Sequence, residues 1–491
     1  MSAKPGYRGY AEDDGFLRRS VDCAVRRMAA VVGGRARLRV IALLAGVLAL
    51  DAADRGAVGA VAVQLRQDLG VTNTQLGSLT AVSSGMGALA CLPVGVLTDR
   101  VRRVRLLVVS IAVWCVAMAV SGLADSYLWL LLSRLALGAV TATAGPTLAS
   151  LVGDYFPPAE RGRIYGFILT GEIAGAGIGL LIGGNLARLL SWRSAFWFLA
   201  LLGVALLVLI ARHLHEPARG GHTLPRPGTT GPGRDDAARS AVRASGIAPD
   251  PALVLHRDPI GMSLWQAARY VLRIPTNVVL IAASAVGYFF FAGLQTFGVV
   301  YVDRQYGVSE TVVTGLVPLI GVGALVGVLT GGRIADRLTR HGHLSARLVV
   351  PAIGYLATAV FFLPGLLTTS AMMALPFFFL AAASLSAANP PLDAARLDVV
   401  HYRLWGRAES VRTFLRMGAQ AVAPVVFGLL ADALGSGGPD SAQGLQYAFL
   451  IMLVPLLANA FILLWARRVY PRDVATATVS ERLTGTDPER A

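Results

Sequence analysis

The sequence predicts an all-α integral membrane protein with twelve transmembrane helices arranged as two pseudo-symmetric six-helix lobes. Three observations carry that expectation. The 491 residues are 55% apolar and only 15% charged, whereas a soluble chain carries about a quarter charged residues. The apolar residues gather in runs as long as a bilayer crossing, about 20 residues of helix. A charged motif recurs at matching places in the two halves.

Six runs come first, at 38–64, 75–98, 104–124, 127–153, 164–188 and 193–213. A stretch rich in Pro, Gly, Arg and Asp follows at 215–262, then six more runs at 275–302, 311–334, 345–366, 370–392, 408–433 and 445–467. The chain therefore divides into a tail over 1–37, a first lobe over 38–214, a linker over 215–262 that reads as disordered, a second lobe over 263–467 and a tail over 468–491. Residues 1–37 have no cleavage-like site, so span one is expected to act as its own insertion signal.

Loop arginines set the orientation. Arg100, Arg102, Arg103 and Arg105 follow span two, and Arg161 and Arg163 follow span four. Arg333, Arg337 and Arg340 accompany the end of span eight, and Arg403 and Arg407 follow span ten. The loops at the other end carry almost none. Positive loops stay in the cytoplasm, so both termini and the linker are expected there, with the protein in the plasma (inner) membrane. The segment 263–273 reads equally as a helix along the inner membrane surface or as a plain connector.

Other classes are excluded on chemistry. The net charge of +15 lies in short clusters between spans and forms no basic face of the kind nucleic acid requires. Cys23, Cys91 and Cys115 have no metal-ligand spacing; the last two read as small hydrophobes. His215, His222, His256, His341, His343 and His401 fall in loops or at span ends, read as solvated, and lie at no nucleophile–base spacing. No catalytic residue, metal or cofactor is expected.

The repeat is specific. Gly95, Asp99, Arg100 and Arg103 recur at the same spacing as Gly332, Asp336, Arg337 and Arg340, with Gly95 and Gly332 lying 237 residues apart. A second match sets Asp154 and Gly162-Arg163 against Asp398 and Gly406-Arg407, 244 residues apart. The difference is the size of a loop insertion, and duplicated lobes about an axis along the membrane normal are expected. The doubled Gly-x-x-x-Asp-Arg-x-x-Arg loop resembles the signature of the major facilitator superfamily. That resemblance implies a latch in which these Asp and Arg residues clasp the two lobes across helix ends in one alternating-access state. One departure stands out: Arg102 occupies a place where the family usually has Gly. Arg134-x-x-x-Gly138 is also similar to the family's buried arginine motif. Gly171, Gly175, Gly179 and Gly183, on one face of span five, let a neighbouring backbone approach closely; the resemblance places that helix at the lobe interface.

Ionisable residues deep in spans are costly and mark function. Span one holds Asp51, Asp54 and Arg55, where Asp51 meets either of the other two on one helix face and one carboxylate is left less compensated. Arg134 in span four needs an anionic partner or a substrate group. Glu172 in span five matches Arg416 in span eleven by the 244-residue offset, so the two are expected to face each other. Arg412 fits the cavity or the loop-arginine end, and the aromatic run Tyr288 to Phe291 reads as lipid- or core-facing. Asp54-Arg55 after Asp51 resembles the first-helix signature of the spinster-like branch, with Asp51 in place of its usual Asn and Thr141 in place of a glutamate usual in span four. What the branch implies is proton-linked movement of amphipathic lipids.

The expected function is a proton-coupled secondary transporter of an amphipathic anionic or zwitterionic substrate such as a lysophospholipid. Asp51, Asp54 and Glu172 are its proton-coupling candidates, and Arg55, Arg134, Arg416, Gln295 and Thr296 its substrate contacts. Asp54→Asn is expected to abolish pH-driven transport and leave folding intact. Its partners are membrane lipids, the substrate and protons, with the chain working as a monomer. An exporter of drugs or small metabolites, and a non-transporting sensor or scaffold, are the alternatives.

Overall fold

The computed structural model describes residues 26–70, 73–220, 246–307, 310–435 and 442–485; Cys23 and His222 lie outside them. The spans of the first lobe are Arg35–Ala60, Asn73–Arg100, Arg103–Ser121, Tyr127–Thr141 continued by Ala144–Tyr155, Arg161–Ile178 continued to Leu189, and Trp192–His213. Those of the second are Pro275–Tyr306, Glu310–Arg340, Ala346–Leu367, Ala371–Ala387 continued by Asn389–Val399, Trp405–Leu434 and Gln443–Ala466. Eleven stretches among the described residues are long and apolar enough to cross a bilayer. Span one, 26 residues long, is not among them because Asp51, Asp54 and Arg55 sit inside it. The charges that dilute its apolar character are those of the site.

The lobes are built alike. In the first, span one packs on five, two on four, and three on six; in the second, seven packs on eleven, eight on ten, and nine on twelve. Spans four and ten each break at the same place, where Pro146 and the pair Pro390-Pro391 follow the break and supply no N–H to the preceding turn. The lobes meet where span two lies on eleven and five on eight.

The glycine ladder does bring a backbone close, but the neighbour belongs to its own lobe. A Cβ on Gly171, Gly175 or Gly179 would lie 2.0–2.1 Å from the carbonyl oxygens of Ala45, Ala49 and Ala53 in span one. Gly183 has ordinary room, and the helix relaxes into a π turn over Gly179–Gly183. The cross-lobe approach of span five uses Gly162 and Gly166, whose Cβ positions meet span eight. Gly175→Ala is expected to lower the unfolding temperature in detergent through overpacking of about 1–3 kcal/mol. Gly177→Ala, with open space at its Cβ, is expected to leave it unchanged or raise it.

Two segments read from sequence as linker and tail are ordered. Residues 214–220 and 246–262 fold back on the lobes, so the expectation of a disordered linker fails for these parts. The helix Tyr470–Gly485 buries Tyr470, Val474, Ala475 and Ala477 against the second lobe. Its Asp473 accepts from the Thr276 backbone N–H at 2.9 Å, and burial pushes that carboxyl above the usual range. His401 is not solvated either: it is fully buried, with Nε2 2.9 Å from the Thr484 hydroxyl.

Candidate functional site

The charges of span one separate onto two sides. Asp51 takes Arg55, one turn on, at 3.0 Å, and Arg55 reaches Glu172 of span five at 3.6 Å. Asp54 turns away into the lobe and pairs with Arg134 at 2.5 Å; both are nearly excluded from solvent. Arg134 also lies over the Phe196 ring, 4.7 Å from its centroid. Neither span-one carboxylate is therefore left uncompensated, because Arg134 supplies the second cation. Its 80-residue sequence separation from Asp54 hid the pairing. The same contact corrects Arg134 as a substrate ligand: it is a buried partner of Asp54.

Arg55 keeps about half its surface open, and the second lobe answers it with Tyr288 of span seven and Arg416 of span eleven. The Arg416 guanidinium lies 4.2 Å from the Tyr288 ring centroid. Its charge acts on Asp51 across the lobe boundary, and Glu172 acts on Tyr288. The expected Glu172–Arg416 ion pair is not formed; Glu172 takes Arg55 of its own lobe instead. Two carboxylates and two guanidinium groups thus lie near one another at the lobe boundary, and among the described residues Arg416 makes no ion pair. Its Nε lacks a hydrogen-bond partner. Tyr288 is a site residue, whereas Phe290 belongs to the core with Phe362 and Phe449. Gln295 and Thr296 are exposed, and among the described residues Thr296 bonds to Ala292 of its own helix. On its other side Asp51 borders a cavity of about 30 Å³ with Ser110, Trp114, Thr141 and Thr143, room for one water.

Arg412, which the sequence left between cavity and loop end, belongs to a second charged group whose pairing was not legible. Glu409 of span eleven pairs with Arg396 and, at 2.6 Å, with Arg412; Arg412 also reaches Asp393 at 3.3 Å and the Ser284 hydroxyl at 2.7 Å. All four charges are buried. The signal available was two acid–Arg pairs at i,i+3 spacing in adjoining helices.

At the loop-arginine end the two Asp residues of the repeat do clasp the lobes, but against helix starts. Asp99 accepts from the backbone N–H of Gly406 at 2.8 Å and of Arg407 at 3.1 Å, and from Arg407 Nε at 2.8 Å. Asp336 accepts from the backbone N–H of Gly162 at 3.2 Å and of Arg163 at 2.6 Å. Each carboxylate thus caps the first turn of span eleven or five in the opposite lobe, where the helix dipole favours it. Gly95 and Gly332 allow this: a Cβ there would strike Ser410 and the Gly162 carbonyl. Gly153 likewise lies flat under the Trp405 indole.

The motif arginines do not join. Arg100, Arg337 and Arg340 are exposed, and Arg103 is buried inside its lobe on Asp154, Glu216 and Ser150. Arg340 is not its counterpart. Arg347 is, pairing with Asp398 as Arg103 does with Asp154, and it lies 244 residues after Arg103, so the insertion falls between Asp336 and Arg347. Arg347 also donates to the Pro158 carbonyl across the interface.

Two lobes related by pseudo-symmetry, shut at one end and holding balanced charges between them, define a membrane transporter. The chain matches the Major Facilitator Superfamily over residues 44–403 and belongs to it. The probable L-galactonate transporter of Escherichia coli is 23% identical over 412 residues, covering 81% of this chain and 85% of that one. The solved human organic anion transporter MFSD10 superposes with a TM-score of 0.61 at 17% identity, covering 87% of this chain and 99% of that chain. A bacterial homologue of the human lysosomal transporter Spinster, inward-facing and occupied, superposes at 0.56 and 20% identity, covering 89% and 98%.

Proposed function

We propose that the chain moves an amphipathic organic anion by alternating access, driven by protons. The observation that supports it is Arg416, a cation between the lobes that stacks on Tyr288 and has no carboxylate partner among the described residues. An anionic headgroup completes its coordination, and Phe289 and Phe297 of span seven, each against Phe427 of span eleven, supply an apolar wall for a tail. Asp51 is the proton site. The charged and titratable groups that act on it or on its partner are Arg55, Glu172, Asp54, Arg416 and Tyr288. Proton binding at Asp51 loosens the hold on Arg55, which then shares its charge between Glu172 and the substrate, and this links the two movements. The arginine-rich latch end faces the cytoplasm of a plasma-membrane protein. Membrane lipids, substrate and protons are the partners of a working monomer.

A second reading keeps the anion and drops the tail, as the sugar-acid relative suggests. The test is uptake into proteoliposomes under an imposed pH gradient, comparing lysophospholipid with galactonate. Lysophospholipid is expected to accumulate, Asp51→Asn to remove the pH drive, and Arg416→Ala to weaken apparent affinity by about tenfold to hundredfold. Movement of galactonate alone favours the second reading. Wild-type transport by Arg416→Ala overturns both.

A further inference from the structure

The latch is connected to the membrane surface. Arg407 is fully buried, and its guanidinium serves two structures at once. Nε holds Asp99 of the opposite lobe, while Nη1 donates to the Met262 carbonyl at 2.9 Å and the Pro259 carbonyl at 3.4 Å. Arg100, from span two, reaches the same Met262 carbonyl at 3.5 Å. With the latch closed, the segment 259–262 is therefore gripped from both lobes.

That segment leads straight into the helix Leu264–Val271, which starts with a reciprocal cap between Ser263 and Gln266. Ala267 and Val271 are buried, and the helix packs on spans two and eleven. The opposite stripe holds Trp265, 82% exposed, with Arg269, Leu272 and Arg273, all exposed. Span seven begins at Pro275, so this stripe lies at the membrane boundary by connectivity alone. Indole at headgroup depth, an apolar side chain beneath it and arginines at phosphate level match an anionic phospholipid surface. Charge agrees: Arg257 adds a third exposed cation, and Asp258, the one acid between 246 and 273 besides Asp250, is already paired with Arg403.

We propose that anionic phospholipid headgroups bind the Trp265–Arg269–Arg273 stripe and, through residues 259–262 and Arg407, hold the latch in its closed state. Seating the helix in the headgroups fixes the carbonyls that orient Arg407, and an oriented Arg407 meets Asp99 at lower cost in side-chain entropy. Loss of the lipid frees the segment and weakens the latch, whatever the substrate is.

Cys91 reports the outcome. It is buried, with Sγ 3.3 Å from the Ser410 carbonyl between spans two and eleven, and opening the latch exposes it to a maleimide. The full chain is reconstituted in vesicles of phosphatidylcholine alone or with phosphatidylglycerol, and Cys91 modification is followed by peptide mass spectrometry. With phosphatidylglycerol the rate is expected to fall about fivefold, the size of one arginine–headgroup contact. The difference should vanish in Arg269→Gln/Arg273→Gln, whose changes lie on the surface and leave folding intact, and shrink in Trp265→Ala. Equal rates in the two vesicle types, or a lipid effect that persists in the double variant, overturns the proposal.

Discussion

Asp54→Asn is expected to unfold at a markedly lower temperature than the native protein, with a loss of about 3–5 kcal/mol, the cost of breaking a buried ion pair from one side. Asparagine keeps the shape of the side chain but removes its charge. Arg134 is then left in the lobe interior, where its Nε and Nη2 already lack partners and it keeps the face of Phe196. This reverses the sequence-based expectation that the variant folds normally and loses coupling alone. Asp51→Asn is the control. Its carboxylate is partly exposed and Arg55 retains Glu172, so about 1 kcal/mol or less is expected, with the effect falling on pH dependence. Asp54→Leu combined with Arg134→Met should recover most of the stability, because both desolvated charges leave together. Thermal unfolding in detergent reads all three. Similar unfolding temperatures for Asp54→Asn and Asp51→Asn would remove Asp54 from the structural role.

What the sequence made legible was whatever repeats or has a period. Spans appear because lipid demands long apolar helices, and the duplicated lobes appear because Asp99 and Asp336 stand in the same local pattern. Contacts between distant positions were not legible. The local motif shows that Asp99 matters, but its partners are 307 and 308 residues away, and two of the three bonds come from backbone N–H groups that any residue carries. Arg103 was matched to Arg340 because spacing after the Asp agreed. The turn at Gly342, with φ of 87°, lies in the insertion that displaces the true counterpart to Arg347.

The charges of span one show the same limit from another side. Their i,i+3 and i,i+4 spacing correctly allowed Asp51 to meet Arg55. A one-helix argument then had to leave a carboxylate over, since no partner outside the helix was visible. Packing supplied it: Gly171, Gly175 and Gly179 draw span five close enough to span one for Glu172 to share Arg55, and span four brings Arg134 to the far face. The ladder of small residues and the sharing of Arg55 are therefore one feature. A bulkier residue in the ladder moves Glu172 away from Arg55 before it touches any substrate.

Asp99→Ala is expected to open the latch end. The variant removes three hydrogen bonds to a carboxylate, one of them from a guanidinium, and leaves Arg407 with carbonyl partners but no anion. Bonds to a charged group contribute about 1.5–3 kcal/mol each in isolation, and part of that is returned as water enters the opened interface. A net shift of about 3 kcal/mol changes the ratio of open to closed forms roughly a hundredfold. Modification of Cys91 should accelerate accordingly, while unfolding temperature changes little, because each lobe keeps its own core. Asp336→Ala breaks the pseudo-symmetric clasp on Gly162 and Arg163 and should act in the same direction. Opening is one rigid movement that must release both clasps, so their free energies should add in the double variant until the open form predominates. Substrate taken up from the opposite side then has a binding site that rarely re-forms, and uptake should fall even though Asp51, Arg55 and Arg416 are unaltered. A Cys91 rate in Asp99→Ala equal to that of the native chain would show that the carboxylate merely caps a helix and holds no state.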